Sequence, residues 1–377
     1  MERLTGRLRR KWLRGIRSIQ HHQMLKRLIL SKRAAASGSI TVSYAHVDFP
    51  RSVPGEDALI SGGGVKYFDL NRYLPHAGLE CHVLYVVSSS HHREISALMD
   101  KAQSCGIKVV WNQDGVYVPF AYGAEKVATG NSRMASLFHR ADYVFYQSDY
   151  AKRSCDRFLG NRIGPSEVLY NAVDTERFAP GERRRNGELV LLVAGSHDSP
   201  YRLRIALETL HLLVQQRKRV RMIVAGKIHQ SAQQEHRQLA TSLGVDRCVE
   251  FWGPYGRGVA PDVFRSGDVF LHTQYGDVCP TVVLEAMSSG LPVIYSAAGG
   301  TPELVGDEAG WGVPAEFSWE EVRPPKPSLL AEGVLMVAES WDRYSDAARE
   351  RAVSRFDLRP WLARHRAIFE MLALSRG

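Results

Sequence analysis

Short runs of β-branched and aromatic residues alternate with longer amphipathic stretches along most of this chain. No other feature restricts its fold so strongly. Residues 40–47, 81–87, 108–111 and 143–147 have the length and composition of buried strands. Between them, residues 65–74, 94–105 and 149–159 carry helical spacing, the first stopped by Pro75 and Gly78. A polar stretch, Pro180-Gly-Glu-Arg-Arg-Arg-Asn-Gly187, then reads as a linker. Beyond it the alternation restarts with strands at 189–194, 221–225, 248–251, 269–272 and 292–294 and helices at 204–216, 232–243 and 281–289. Parallel strands need crossovers long enough to hold a helix, so this alternation predicts parallel sheets covered on both faces. Two such runs predict an α/β chain of two Rossmann-like domains whose strand ends face a central cleft.

At 377 residues the chain is long enough for two ordinary domains. No run of 18 apolar residues exists, so no membrane-spanning helix is expected. The cysteines, Cys81, Cys105, Cys155, Cys248 and Cys279, are scattered and odd in number, which points to a reduced, cytoplasmic protein. They form no metal-ligand spacing, and no metal is expected.

The net charge of +9 is concentrated in one place. Residues 1–33 hold eleven Lys or Arg and one acid, which leaves 38 basic and 39 acidic residues in the rest. In that arm Leu4, Leu8, Trp12, Ile16 and Ile19 recur at helical spacing. A basic amphipathic helix with Trp on its apolar face suits an anionic membrane surface. The expected location is therefore cytoplasmic, with peripheral contact at the inner face of the membrane. The arm lacks the uninterrupted apolar core of a secretory signal. Nucleic acid is not an expected partner, because the arm has an apolar stripe and the body is near neutral. Residues 34–38 form a small-residue linker.

The chemistry concentrates in Asp277-Val-Cys-Pro-Thr-Val-Val-Leu-Glu285-Ala-Met-Ser-Ser-Gly290-Leu-Pro-Val-Ile294. It reads as a loop, a short helix, a turn and a buried strand. Pro280 suits the first helical turn and Thr281 a cap. The free N–H groups there, aided by the helix dipole, make an anion site. Asp277 and Glu285 bracket that site and can accept hydrogen bonds from hydroxyls. A phosphate site beside two hydroxyl-binding carboxylates suits a nucleotide-sugar.

This segment resembles the retaining glycosyltransferases often called family 4. Their signature is an acid, seven residues, then Glu, followed by Ala-Met-x-x-Gly-x-Pro-Val. Here Asp277 stands where most members have Glu, and Cys279-Pro280 replaces the usual Phe-Gly. Tyr170-Asn-Ala-Val-Asp174-Thr-Glu-Arg-Phe178-Ala-Pro180 resembles a second family segment, and residues 248–253 and 267–270 match patterns upstream of the carboxylates. The resemblance implies the GT-B architecture. Beside the basic amphipathic arm read above (1–38), it implies an N-terminal Rossmann-like acceptor domain (39–183), a C-terminal nucleotide-sugar domain (184–358) and a terminal helix (359–377) crossing back to the first domain.

The resemblance implies transfer of a sugar from a nucleoside-diphosphate sugar, as donor substrate, to a hydroxyl of a glycan or lipid-linked acceptor, with retention and without a cofactor. Asp277 would bind the transferred sugar and Glu285 the ribose. Gly195, Cys279, Pro280, Thr281 and Val282 would surround the donor, with the Trp252–Tyr255 loop, including Gly253 and Tyr255, against its base. The family's Gly-Arg-x-x-x-x-Lys-Gly clamp on the diphosphate is missing: Ser196 follows Gly195, and Tyr201 falls where Lys would be. Arg202, Arg204 and Lys227 are the bases that could substitute, because guanidinium groups bind phosphate bidentately. In the first domain, the turn Asn112-Gln113-Asp114-Gly115 replaces the family's His near the sugar, with His46 as a rival and Asp114 as the catalytic candidate. Gly62-Gly63-Gly64 reads as a loop whose backbone approaches acceptor or phosphate, with Lys66 adding charge. The missing clamp also fits a second class, a non-catalytic nucleotide-sugar-binding or scaffold protein.

Overall fold

The computed structural model describes residues 40–49, 51, 53, 55, 62–182, 187–216 and 218–374. The basic arm lies outside them, as do parts of the loop before Gly62 and of the polar linker.

Two sheets form, both wholly parallel. The first holds β1 (Val42–Tyr44), β2 (Val83–Val87), β3 (Lys108–Gln113), β4 (Tyr143–Tyr146) and β5 (Ser166–Val168), in that spatial order. The second holds β6 (Leu189–Ala194), β7 (Val220–Ala225), β8 (Val249–Gly253), β9 (Val269–His272), β10 (Val293–Ser296) and β11 (Gly310–Val313), ordered β11-β10-β9-β6-β7-β8. Continuous apolar runs such as Val83–Val87 are buried along their whole length, as strands covered on both faces require.

The first sheet is covered by α1 (Gly62–Tyr73), α2 (Ile95–Ser104), α3 (Ala124–Phe138) and α4 (Asp149–Phe158). The second carries α5 (Pro200–Gln215), α6 (Gln230–Ser242), α7 (Ala260–Arg265), α8 (Thr281–Ser288), α9 (Thr301–Val305), α10 (Pro327–Glu339) and α11 (Trp341–Phe356). The last helix, α12 (Leu358–Leu374), packs on β2 and β3 of the first sheet. Its buried face is Leu358, Trp361, His365, Ile368, Phe369 and Leu372, and His365 Nε2 meets the Tyr85 hydroxyl at 3.2 Å. Burial lowers the His365 pKa to about 3, so this histidine is a neutral core residue.

Several elements differ from the sequence expectation, which also does not foresee β5, β11, α7, α9, α10 and α11. The glycine triplet is not a loop, since Gly62, Gly63 and Gly64 form the first turn of α1. A Cβ on Gly63 would meet the Ser89 and Ser90 hydroxyls at 2.6 and 2.5 Å, so a larger residue there would have to displace those side chains. Asn112 and Gln113 are the last residues of β3 rather than a turn, with the Asn112 Oδ1 accepting from Gln147 and the Gln113 Oε1 from Trp111, while Asn112 Nδ2 has no partner among the described residues. Helix α3 carries little apolar signal: only Asn131, Leu137 and Phe138 of it are buried.

Candidate functional site

The second sheet reverses its strand order between β6 and β9, and a crevice opens beyond the strand ends at such a reversal. Gly195 follows β6 there and Gly226 follows β7. A Cβ on Gly226 would lie 1.9 Å from the Gly195 carbonyl oxygen, and both residues have left-handed φ, +118° and +109°. Glycine at both positions keeps the floor of the crevice open. Beyond β9, the Asp277 backbone is pinned to the loop before α9, with the Gly300 N–H donating to Asp277 O at 2.7 Å.

The Asp277 carboxylate accepts from the Val278 N–H at 2.8 Å and lies 3.2 Å from His272 Nε2. That last contact is an ion-pair distance without the alignment of a hydrogen bond, and both ring nitrogens of the buried His272 lack a hydrogen-bond partner among the described residues. Burial alone would raise the Asp277 pKa. The His272 ring, the Arg202 charge and the Val278 N–H outweigh it and hold the carboxyl below its ordinary value. Burial lowers the His272 pKa, against the pull of Asp277, which favours a neutral ring.

Helix α8 begins at Thr281. Pro280, with φ −66° and ψ 114°, is its N-cap and Thr281 its first helical residue, so the expected Thr cap is not made. No side chain caps this helix, and Cys279, Pro280, Thr281 and Val282 line the cavity in front of it. Glu285, one turn further in, is 2% exposed and ion-paired with Arg257 from the loop after β8. Sequence reasoning missed Arg257. Its only local signal is a Gly-flanked position in that loop, and the pairing across 28 residues emerges from the fold.

The facing wall comes from the first sheet. Asp114 lines the cavity, and its carboxylate accepts hydrogen bonds from the Ser88 and Ser89 hydroxyls. A buried amide relay crosses between the walls: Gln147 Nε2 donates to Asn112 Oδ1 at 2.6 Å, and Asn171 Nδ2 donates to Gln147 Oε1 at 3.0 Å and to Cys279 O at 2.6 Å. Lys66 on α1 completes this side.

The cavity between the walls has a volume of about 670 Å³ and brings Gly62, Gly63, Asp114, Gly195, Arg202, Lys227, Tyr255, Asp277, Thr281 and Glu285 together. Five expected residues lie elsewhere. Arg204 is exposed on the outer face of α5, about half a turn past the cavity-lining Arg202. Gly64 sits within α1, away from the opening. Asn112 backs the relay, and Gln113 turns inward to accept from Trp111 Nε1 at 2.6 Å. Gly253 ends β8 and uses its carbonyl to accept from the Gly226 N–H at 2.7 Å. In the following loop Pro254 and Tyr255 line the cavity while Trp252 faces solvent. His46 bonds Arg51 O at 2.9 Å and is no part of the site. Among the described residues, no group of His, Cys, Asp and Glu is arranged to hold a metal.

Residues 188–323, the segment that builds the crevice wall with Asp277 and Glu285, match the family of glycosyl transferases group 1. The D-inositol 3-phosphate glycosyltransferase of Kribbella flavida is 30% identical over 185 residues, 44% of this chain and 43% of that protein. The lipopolysaccharide glucosyltransferase WaaG of Escherichia coli is 31% identical over 111 residues, 29% of each chain. The chain therefore spans less than half the length of these curated relatives. The crystal structure of Anabaena Alr3699/HepE in complex with UDP-glucose covers 88% of this chain and 100% of its own, with a TM-score of 0.70 at 16% identity.

The fold is GT-B.

In this GT-B frame the cavity occupies the interdomain cleft, at the strand-order reversal of the second sheet.

Proposed function

We propose that this chain is a glycosyltransferase that moves a sugar from a nucleoside-diphosphate sugar to a hydroxyl acceptor, with retention of configuration. The observation that carries this reading is a single one: Asp277 and Glu285 flank an uncapped helix start inside a cleft of nucleotide-sugar size. In the mechanism, the start of α8 and the neighbouring cations take the charge that grows on the departing diphosphate. Asp277, kept ionised, accepts hydrogen bonds from the transferred sugar, and Glu285 holds the ribose. Shortening Glu to Asp at 277 retracts the carboxylate by one methylene, and His272 stands behind it. The diphosphate oxygen itself receives the acceptor's proton on the face it leaves, so no separate nucleophile is needed. Positioning by the two walls supplies the rest. The match of residues 188–323 to group 1 glycosyl transferases supports the activity; the lipopolysaccharide glucosyltransferase relative supports a lipid-linked glycan acceptor, whereas the D-inositol 3-phosphate glycosyltransferase relative supports a small phosphorylated polyol.

A panel of nucleotide-sugars, scored by thermal shift and then by transfer to water or an acceptor, tests this. Stabilisation by one donor with turnover is the expected result. Stabilisation without turnover favours the second reading, a nucleotide-sugar-binding scaffold, for which the missing Arg and Lys clamp speaks. Silence across the panel defeats both. Peripheral attachment through residues 1–33 is proposed on charge and spacing alone. Failure of the full-length chain to sediment with anionic liposomes at low salt would remove it.

A further inference from the structure

Four cationic side chains line the cleft: Lys66, Arg202, Lys227 and Arg257. Three are tied to a partner or to water. Arg257 pairs with Glu285. Arg202 donates to the Ser196 carbonyl and feels the charge of Asp277, although its Nε lacks a hydrogen-bond partner among the described residues. Lys227 is exposed to water. Lys66 is unlike them. It is 5% exposed, and among the described residues its ammonium has no carboxylate at ion-pair distance and one long hydrogen bond, 3.4 Å, to Gly62 O. Asp114 and Asp69 act on it only through space. A buried ammonium left unpaired is costly, and it is retained where an anion arrives to pair it.

Its position specifies the anion. A small recess groups Lys66 with Asn171 and Thr281, which places the ammonium across the cleft from the uncapped start of α8. Helix start and lysine converge from different domains on one space.

We propose that Lys66 binds the diphosphate of the donor, supplying from the first domain the cation that the resembled family supplies from the second. This rests on the donor-site reading above. The phosphate charge is then held between the two walls, so full neutralisation requires a closed cleft. Domain closure and leaving-group binding become one event, which they are not when both clamp residues share a domain.

The test is calorimetric titration of the full chain and its Lys66→Met variant with UDP, GDP, ADP and CDP, with inorganic pyrophosphate, and with the nucleoside of whichever diphosphate binds. Methionine keeps the volume without the charge, and removing a buried unpaired ammonium leaves the melting temperature unchanged or raised. The expected result is a loss of about tenfold or more for the diphosphate and for pyrophosphate, with nucleoside affinity held within about twofold. Diphosphate affinity within twofold of wild type overturns the proposal and leaves the donor reading standing. Equal losses for nucleoside and diphosphate, or a lowered melting temperature, also overturn it, because they mark a structural lysine. A wild-type chain that binds none of the four diphosphates rejects the donor reading itself.

Discussion

The two sheets meet at one cleft but are ordered differently. The second reverses direction between β6 and β9, whereas the first runs β1 to β5 in chain order without a reversal. A reversal leaves a crevice at the strand ends, and a consecutive order does not. The groups in the crevice are accordingly preset in pairs: Asp277 with His272, and Glu285 with Arg257. The facing wall offers Lys66, which has no carboxylate at ion-pair distance among the described residues, and an amide relay that ends on the other domain. One wall is thus paired internally, and the other reaches it through the amide relay.

The sharpest break of this contrast is at Glu285. Glu285→Ala should reduce sugar transfer on the order of 10³-fold, measured as kcat/KM. Glu285→Gln, which keeps the volume beside Arg257, should lose nearly as much, and full activity in either variant would sink the assignment of α8 as the donor site. Arg257→Met comes next. It strands a buried carboxylate and should destabilise the fold by about 3 kcal/mol in denaturant melts. A change below 1 kcal/mol would mean that the preset pair has no energetic weight.

Asp69, on α1 opposite Arg257, gives a smaller and pH-dependent effect. Burial raises its pKa to about 6, with Arg257 opposing and Glu285 reinforcing the shift. The folded chain therefore holds this proton more tightly than the unfolded chain, and stability falls as pH rises from about 4 to about 6. Asp69→Asn should remove that slope, gaining less than about 3 kcal/mol over wild type at pH 7 and little at pH 4. Parallel stability curves for the two proteins would contradict it. The smallest effect belongs to Arg204→Ala. Its solvent-facing position predicts stability within about 0.5 kcal/mol and unchanged donor affinity.

Legibility in the sequence follows the same division. The unit from β9 to β10 could be read almost to the residue, because its apolar strands, its helix and its Gly-Leu-Pro turn are all local signals. The sheet class was equally plain from the buried runs. The first wall was not. Gly62, Gly63 and Gly64 look like a loop until the Ser89–Ser90 segment, which crowds Gly63, is in place. Asn112 and Gln113 look like a turn because their amides are polar, and only partners 2 to 35 residues away make them strand residues. Arg257 and Lys66 gain their meaning from neighbours on other elements, which no spacing rule reports. Arg204, taken for a clamp, sits two positions from Arg202, and on a helix that separation turns a side chain to another face.

Glu303 draws the halves together in another way. From α9 of the second sheet, its carboxylate accepts from the N–H groups of Asp149 and Tyr150 at 2.8 Å each, at the start of α4 under the first sheet. A helix of one domain is thereby capped by a side chain of the other. Separating the domains would take the acceptor from those two N–H groups, leaving at the tip of α4 the Ser148 hydroxyl that accepts from the Ala151 N–H. The start of α4 is thus held by a residue of the other domain that lies outside the cavity lining.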